Sequence, residues 1–190
     1  MTRSPVLLPT LVLLSLVAAC GGQDAAVQDT DAGETPPAQA PPPAPAPAAS
    51  GASTAQSLPF NFGNIRAVLS YGAPSVGGRS IMGGVVPYGQ PWSLGGDEPT
   101  TLQLSGRANV GGIALEAGSY TLSAIPSQGA WQLSINSSST VVGSFNVTPE
   151  RTPAPVEQLT YEWEEAPGGD PGGELILEWE NTLLRIPIEA

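Results

Sequence analysis

The chain has no histidine and no lysine, and Cys20 is its single cysteine. Without imidazole there is no Ser-His-Asp or Cys-His catalytic arrangement and no histidine-built zinc site. Without lysine there is no Schiff-base chemistry and no phosphate-binding P-loop. A lone cysteine forms no internal disulfide, and once it is modified no thiol nucleophile or thiolate metal ligand remains. Cations are scarce: six arginines face seventeen acids, for a formal net charge of −11. Phosphate binding needs clustered positive charge, so nucleic acid is not an expected partner. No cofactor is expected either. What this composition leaves for chemistry is carboxylates, hydroxyls, arginines and aromatic faces.

The one cysteine sits where it carries an address. Arg3 gives a short positive start, and Val6–Val17 is a 12-residue apolar run. That length suits a secretory signal of roughly 7–15 apolar residues and falls short of the roughly 20 that span a bilayer. Ala18 and Ala19 offer the small side chains a peptidase needs beside its cut. An Ala-x-Ala-like ending serves the ordinary signal peptidase too, but a thiol at the first mature position fits a bacterial lipobox, because sulfur can be alkylated by a diacylglyceryl group. Residues 1–19 are therefore predicted to be a lipoprotein signal peptide and Cys20 the lipidated residue. Each buried lipid CH₂ favours membrane attachment by about 0.8 kcal/mol, and more than one chain makes the attachment lasting. Gly21 and Gly22 follow with no aspartate to signal inner-membrane retention. The expectation is a lipid-anchored protein of the bacterial cell envelope, at the outer membrane where there are two.

Residues 20–57 read as an acidic, Ala/Pro-rich linker. From Gly21 to Ser57 there is no aromatic residue, and Val27 is the only large aliphatic. Such a stretch cannot bury enough apolar surface to offset the entropy of ordering. The 14 residues Pro36–Ala49 favour polyproline II. At about 3.1 Å per residue they reach roughly 40 Å, a spacer between lipid and domain. All eleven aromatic residues lie at or after Phe60, so the folded domain is placed at residues 58–190. A chain of that length buries roughly two-thirds of its unfolded surface, enough for one core.

That domain reads as all-β. Alternating or β-rich runs recur at Ile65–Tyr71, Thr100–Leu104, Ser119–Ile125, Ala130–Asn136, Val141–Val147, Val156–Glu164, Glu174–Glu180 and Thr182–Ile188. Gly and Pro punctuate them, as at Gly111-Gly112, Pro126 and Pro153/Pro155, and no stretch has a helical period. Many short strands at this spacing predict a single antiparallel, jelly-roll-like β-sandwich.

The densest motif is Gly78-Arg79 followed by Val86-Pro87-Tyr88-Gly89, then Trp92, then Gly95-Gly96-Asp97-Glu98-Pro99-Thr100. With Ala117–Leu122, Ile125-Pro126, Trp131–Asn136 and Leu177-Glu178-Trp179-Glu180, it resembles a bacterial family known as domain of unknown function 2911. The resemblance runs from about Ile65 to Ile188 and implies an exported or lipid-anchored β domain, without naming a reaction. The chain departs from the family pattern at Ser93 and Asp97, which stand where relatives carry arginine and asparagine, and Tyr71–Ser75 lacks an arginine common in relatives. Fewer cations and one more anion weaken any anion-binding role for that motif.

Two candidate sites follow. Arg79, Tyr88, Trp92, Asp97, Glu98 and Thr100 lie on loops and strand ends, where functional groups concentrate. An aromatic platform beside arginine and carboxylates suits a sugar ring or a peptide; the structural alternative is that Trp92 fills core and Arg79 pairs with Glu98. The second site is acidic. Across a hairpin joined by Ala166–Gly173, Tyr161 and Trp163 face one way with Leu175, Leu177 and Trp179. Glu162, Glu164, Glu178 and Glu180 face the other, with Glu174 beside them. Facing acids repel, and Ca²⁺ would relieve the repulsion, whereas solvent alone makes this a plain charged face. The expected function is a non-catalytic binding module for a glycan, a peptide or another envelope protein. The alternative is a carboxylate hydrolase using Glu98 and a second acid.

In the full-length protein, Cys20→Ser is expected to move the chain from the membrane fraction to the soluble fraction and to abolish incorporation of labelled palmitate. A serine variant that still sediments with membranes contradicts the anchor.

Overall fold

The computed structural model describes residues 53–190; Cys20, the expected signal peptide and most of the expected linker lie outside the described residues. The described chain folds as an antiparallel β-sandwich. Its strands are β1 (Thr54–Phe62), β2 (Ile65–Ala73), β3 (Thr100–Leu104), β4 (Ala108–Val110) and β5 (Ile113–Leu115). They continue with β6 (Gly118–Ile125), β7 (Trp131–Ser137), β8 (Thr140–Val147), β9 (Glu150–Glu165) and β10 (Gly172–Glu189). One sheet has the order β1-β2-β3-β6-β7-β8, the other β5-β4-β10-β9.

Period-two patterning explains the pairing faces. In β2, Ile65, Ala67, Leu69 and Tyr71 point inward, as do Leu102 and Leu104 of β3, Tyr120 and Leu122 of β6, and Leu133 and Ile135 of β7. The four-stranded sheet answers with Leu159 and Tyr161 of β9 and with Leu175, Leu177, Trp179 and Leu184 of β10. Fully burying each aliphatic side chain favours the fold by about 1.5–3 kcal/mol, so this interdigitated layer is the main stabilising term. Aromatic pairs bridge the layers: Tyr71 meets Tyr161 edge-on at 4.7 Å, and Phe60 stacks on Trp163 at 4.5 Å.

Three strands escape the alternation pattern. The first four residues of β1, Thr54–Ser57, carry no large apolar side chain and are exposed, yet they pair in register with Ser70–Ala73. Backbone hydrogen bonding orders residues that composition alone assigns to the linker. β4 and β5 have three residues each and join through Gly111-Gly112, whose φ values are 59° and 86°. Two consecutive positive φ angles define the tight hairpin turn that glycine favours.

β10 doubles back. Eighteen extended residues would stretch about 55–60 Å, but Ala190 N donates to Pro171 O at 2.8 Å. A Cβ on Gly172 would lie 2.7 Å from Ile188 O. The reversal is at Glu180, whose φ is 54°. β9 follows it around the outside. Its last residues, Thr160–Glu165, pair with the outgoing arm Gly173–Glu178, and its first, Glu150 and Arg151, pair with Leu183 and Thr182 on the returning arm. The returning arm then reaches β4 through Ile188 and Glu189.

The long connection between β2 and β3, residues 74–99, closes one flank of the core. Trp92 exchanges backbone hydrogen bonds with Ala124 (2.7 and 2.8 Å) and drives its indole between Trp131 (6.1 Å, edge-on) and Trp179 (5.9 Å, stacked). Two residues later Leu94 adopts φ 56° and turns its carbonyl inward. Thr100 Oγ1 donates to that oxygen at 3.0 Å, and Tyr161 OH donates to it at 2.7 Å. Burial pushes the Tyr161 phenol well above its ordinary value, so it stays a neutral donor.

Thr100→Val and Tyr161→Phe are each expected to lower stability by about 1 kcal/mol, read from urea midpoints. Together they should cost more than the sum, because the double variant strips the buried Leu94 carbonyl of both donors. Strict additivity would mean the shared carbonyl does not couple them.

Candidate functional site

The motif residues do not gather into one patch. Trp92 is 6 % exposed and belongs to the core, with its indole N–H donating to Gly95 O at 2.9 Å. Thr100 is fully buried on the Leu94 carbonyl. Arg79 is half-buried and donates to the Val76 carbonyl (3.0 Å) and the Ser75 carbonyl (2.7 Å), holding its own loop rather than offering a bare anion seat. Asp97 and Glu98 are exposed on the turn before β3 and line neither of the clefts described below. Tyr88 is the exception.

Tyr88 is 42 % exposed and lines a 280 Å³ cleft. The cleft lies where four segments meet: the 74–99 connection, the β6–β7 loop, the β8–β9 turn and the β10 reversal. Local sequence makes each wall firm. Gly83 has φ 83°, and a Cβ there would sit 2.8 Å from the Tyr88 ring, so glycine lets the phenol approach its backbone closely. Gly89 N donates to Pro126 O at 2.8 Å, tying the Tyr88 turn to the β6–β7 loop. In that loop Ser127 Oγ donates to Ala130 O (2.8 Å), and Trp131 Nε1 donates to Ser127 O (3.0 Å).

The β10 reversal supplies the opposite wall. Glu180 holds a left-handed conformation that costs a non-glycine residue about 1–3 kcal/mol unless its surroundings enforce it. Two bonds enforce it here. Its Oε2 accepts from Ile81 N at 3.2 Å, and its carbonyl accepts from Thr152 Oγ1 at 3.2 Å. Asn181 and Thr182 follow on the same wall. Glu150 and Arg151 come from the start of β9, and Gln128 from the β6–β7 loop. Arg151 is exposed and forms no ion pair among the described residues. Sequence reading passed over Arg151, Gln128 and Asn181, because none lies in a distinctive motif and only the fold brings them to Tyr88.

The acidic row resolves differently. Glu164 and Glu174 do face each other across β9 and β10. Arg185, on the returning arm, donates to both, at 3.0 and 2.8 Å, and lies 3.9 Å from Glu150. These carboxylates push the guanidinium pKa up, the Glu174 hydrogen bond most. An internal arginine thus does what a bound cation would do for the row. Glu162 is exposed and Glu178 half-buried beside it. Glu180 leaves the row, because the reversal turns its carboxylate toward Ile81. Beyond, at the open end of the hairpin, lies a 620 Å³ groove edged by Glu164, Glu165, Asp170, Glu174 and Glu189. No three such side chains among the described residues converge to hold a metal ion. Arg185 was findable from parity alone, since it alternates with Leu184 and Ile186 and so shares the outer face with Glu174.

A family model described as protein of unknown function (DUF2911) matches residues 53–188. No curated protein and no solved structure matches the chain.

Arg185→Gln is expected to leave Glu150, Glu164 and Glu174 in mutual repulsion, so that the urea midpoint drops in low salt and recovers in high salt. The wild-type midpoint should change little with salt and not at all with millimolar Ca²⁺. A wild-type protein stabilised saturably by Ca²⁺ would restore the cation-site reading.

Proposed function

The chain belongs to the DUF2911 family of proteins of unknown function, and from that premise we propose that it is an envelope-anchored, non-catalytic binding module whose ligand seat is the Tyr88 cleft. The observation that carries the reading is the cleft's make-up. A half-exposed tyrosine and the exposed guanidinium of Arg151, which forms no ion pair among the described residues, open onto one 280 Å³ space. Its walls are fixed by hydrogen bonds before any ligand arrives. A concave site with an apolar face and a few convergent polar groups is the usual form of a small-molecule seat. A pre-formed one avoids the ordering entropy of binding.

Envelope attachment rests on Cys20 and the small residues before it, and the Pro-rich stretch gives the module reach. The hydrolase alternative asks Glu98 to act in a cleft with a second acid. Glu98 stands exposed on a turn outside both clefts, which leaves that reading without a site.

Titrating the full chain with cell-wall oligosaccharides and short peptides should reveal one class that raises the melting temperature with the logarithm of its concentration, by the equivalent of about 2.7 kcal/mol at a hundredfold excess over Kd. Tyr88→Ala should reduce that stabilisation by about 1.4 kcal/mol or more, a tenfold or greater loss of affinity. Glycoside hydrolysis that Glu98→Gln removes would replace the binding reading with the catalytic one.

A further inference from the structure

Resting on the cleft reading, we propose that the Tyr88 cleft seats a single uncharged sugar ring at the end of a glycan. Four observations converge on that ligand. The first is size. At 280 Å³ the space lies just below the roughly 300–1,000 Å³ range of small-molecule pockets, room for one ring. A protein partner would need about 800 Å² of complementary surface, and an extended peptide needs a groove along a strand edge rather than a pit between loop ends.

The second is the mixture of hydrogen-bonding types. A sugar hydroxyl both donates and accepts, so a ring with adjacent hydroxyls is matched by walls that do both. Arg151 presents a fork of N–H donors, and Gln128 and Asn181 add amides that donate and accept. Glu150 and Glu180 supply acceptors, one oxygen of Glu180 being engaged by Ile81 N. Ser127 is already committed, donating to Ala130 O and accepting from Gly129 N, and adds no free group.

The third is the aromatic face. Tyr88 lies close against Gly83 and stays 42 % exposed, an aromatic side chain that the C–H face of a sugar can cover. The phenol loses little freedom on binding, because the Gly89–Pro126 hydrogen bond already fixes its turn.

The fourth is charge. Two carboxylates and one guanidinium line the cleft. An acidic sugar meets Glu150 and Glu180, and a cationic peptide meets Arg151. An uncharged ring meets neither penalty and uses all three as hydrogen-bonding groups, each stronger for being charged.

The test titrates the full chain with glucose, galactose, mannose and N-acetylglucosamine, to about 50 mM because a single ring binds weakly. Galacturonate and trialanine are run in parallel. Trp131, which lines the cleft, reports by its emission, and calorimetry gives Kd. At least one neutral sugar should bind saturably, with Tyr88→Ala and Arg151→Gln each weakening it about tenfold or more while circular dichroism stays that of the wild type. If Tyr88→Ala fails to fold, Arg151→Gln, a change at an exposed side chain, carries the test alone. Neutral sugar binding that survives both substitutions overturns the inference, since the ring then sits elsewhere. Binding of galacturonate or trialanine alone, abolished by the same substitutions, overturns it too and leaves the cleft as a seat for another ligand. Silence from every probe overturns the inference, while the binding reading beneath it stands or falls separately on the oligosaccharide and peptide titration.

Discussion

The carbonyl of Leu94 is the pin on which this sandwich turns. It belongs to the 74–99 connection, yet its two donors come from both layers: Thr100 from the six-stranded sheet and Tyr161 from the four-stranded one. A buried carbonyl left unpaired costs about 1–3 kcal/mol, so the loop cannot drift from either sheet without that loss. The pin also dictates the neighbouring sequence. Leu94 must take φ 56° to aim its oxygen inward. Gly95 must lack a side chain, since a Cβ there would sit 2.8 Å from Thr100 Oγ1. Trp92, two residues back, is thereby set between Trp131 and Trp179, and it fills the core from a segment that belongs to no strand.

Through the same chain of contacts the pin positions the cleft. Trp92 bonds to Ala124 at the end of β6, and Gly89 bonds to Pro126 just beyond it. Tyr88 is therefore held at the rim by the strand that Trp92 has docked against. From the other side, Glu180 reaches the connection through Ile81 N. Strain at Glu180 and the tight approach at Gly83 both concentrate at this rim, where a local conformational cost is offset by hydrogen bonds from neighbouring segments. The acidic face and the cleft are linked as well, because one reversal of β10 brings Arg185 back over Glu174 and swings Glu180 out of the acid row. Charge compensation on the outer face and a carboxylate at the rim are two results of a single turn.

Much of this was legible in the sequence, for a definite reason. Wherever a strand is half-buried, burial writes itself as alternation, and the run Thr100–Leu104 matches β3 at both ends. The break between Glu174–Glu180 and Thr182–Ile188 falls at the β10 reversal. The strands that alternation cannot reveal are those ordered by backbone pairing, at Thr54–Ser57, and those too short to show a period, β4 and β5. Their signal was Gly111-Gly112, readable as a hairpin turn only once the flanking triplets are known to pair. A Cβ on Gly111 would strike the Phe145 ring, so the glycine also serves a packing need that no local pattern carries. The site was less legible than the fold. Motif density drew attention to the 78–100 region. It could not separate side chains that shape the region, such as Trp92 and Thr100, from the one that faces solvent in a cleft, Tyr88.

That separation bears on what the family resemblance can mean. Of the residues that carry it, Trp92 packs the core, Thr100 holds the Leu94 carbonyl, Gly95 gives that contact room, and Arg79 ties down its own loop. A signature made of such residues specifies how a long connection is locked against a sandwich. The groups that give the cleft its hydrogen-bonding character lie elsewhere: Gln128 in the β6–β7 loop, Arg151 at the start of β9 and Asn181 at the β10 reversal. Exposed and unconstrained by packing, such positions can change without disturbing the pin. Ser93 and Asp97, within the signature stretch, line neither cleft, so their identity does not bear on the make-up of the Tyr88 cleft.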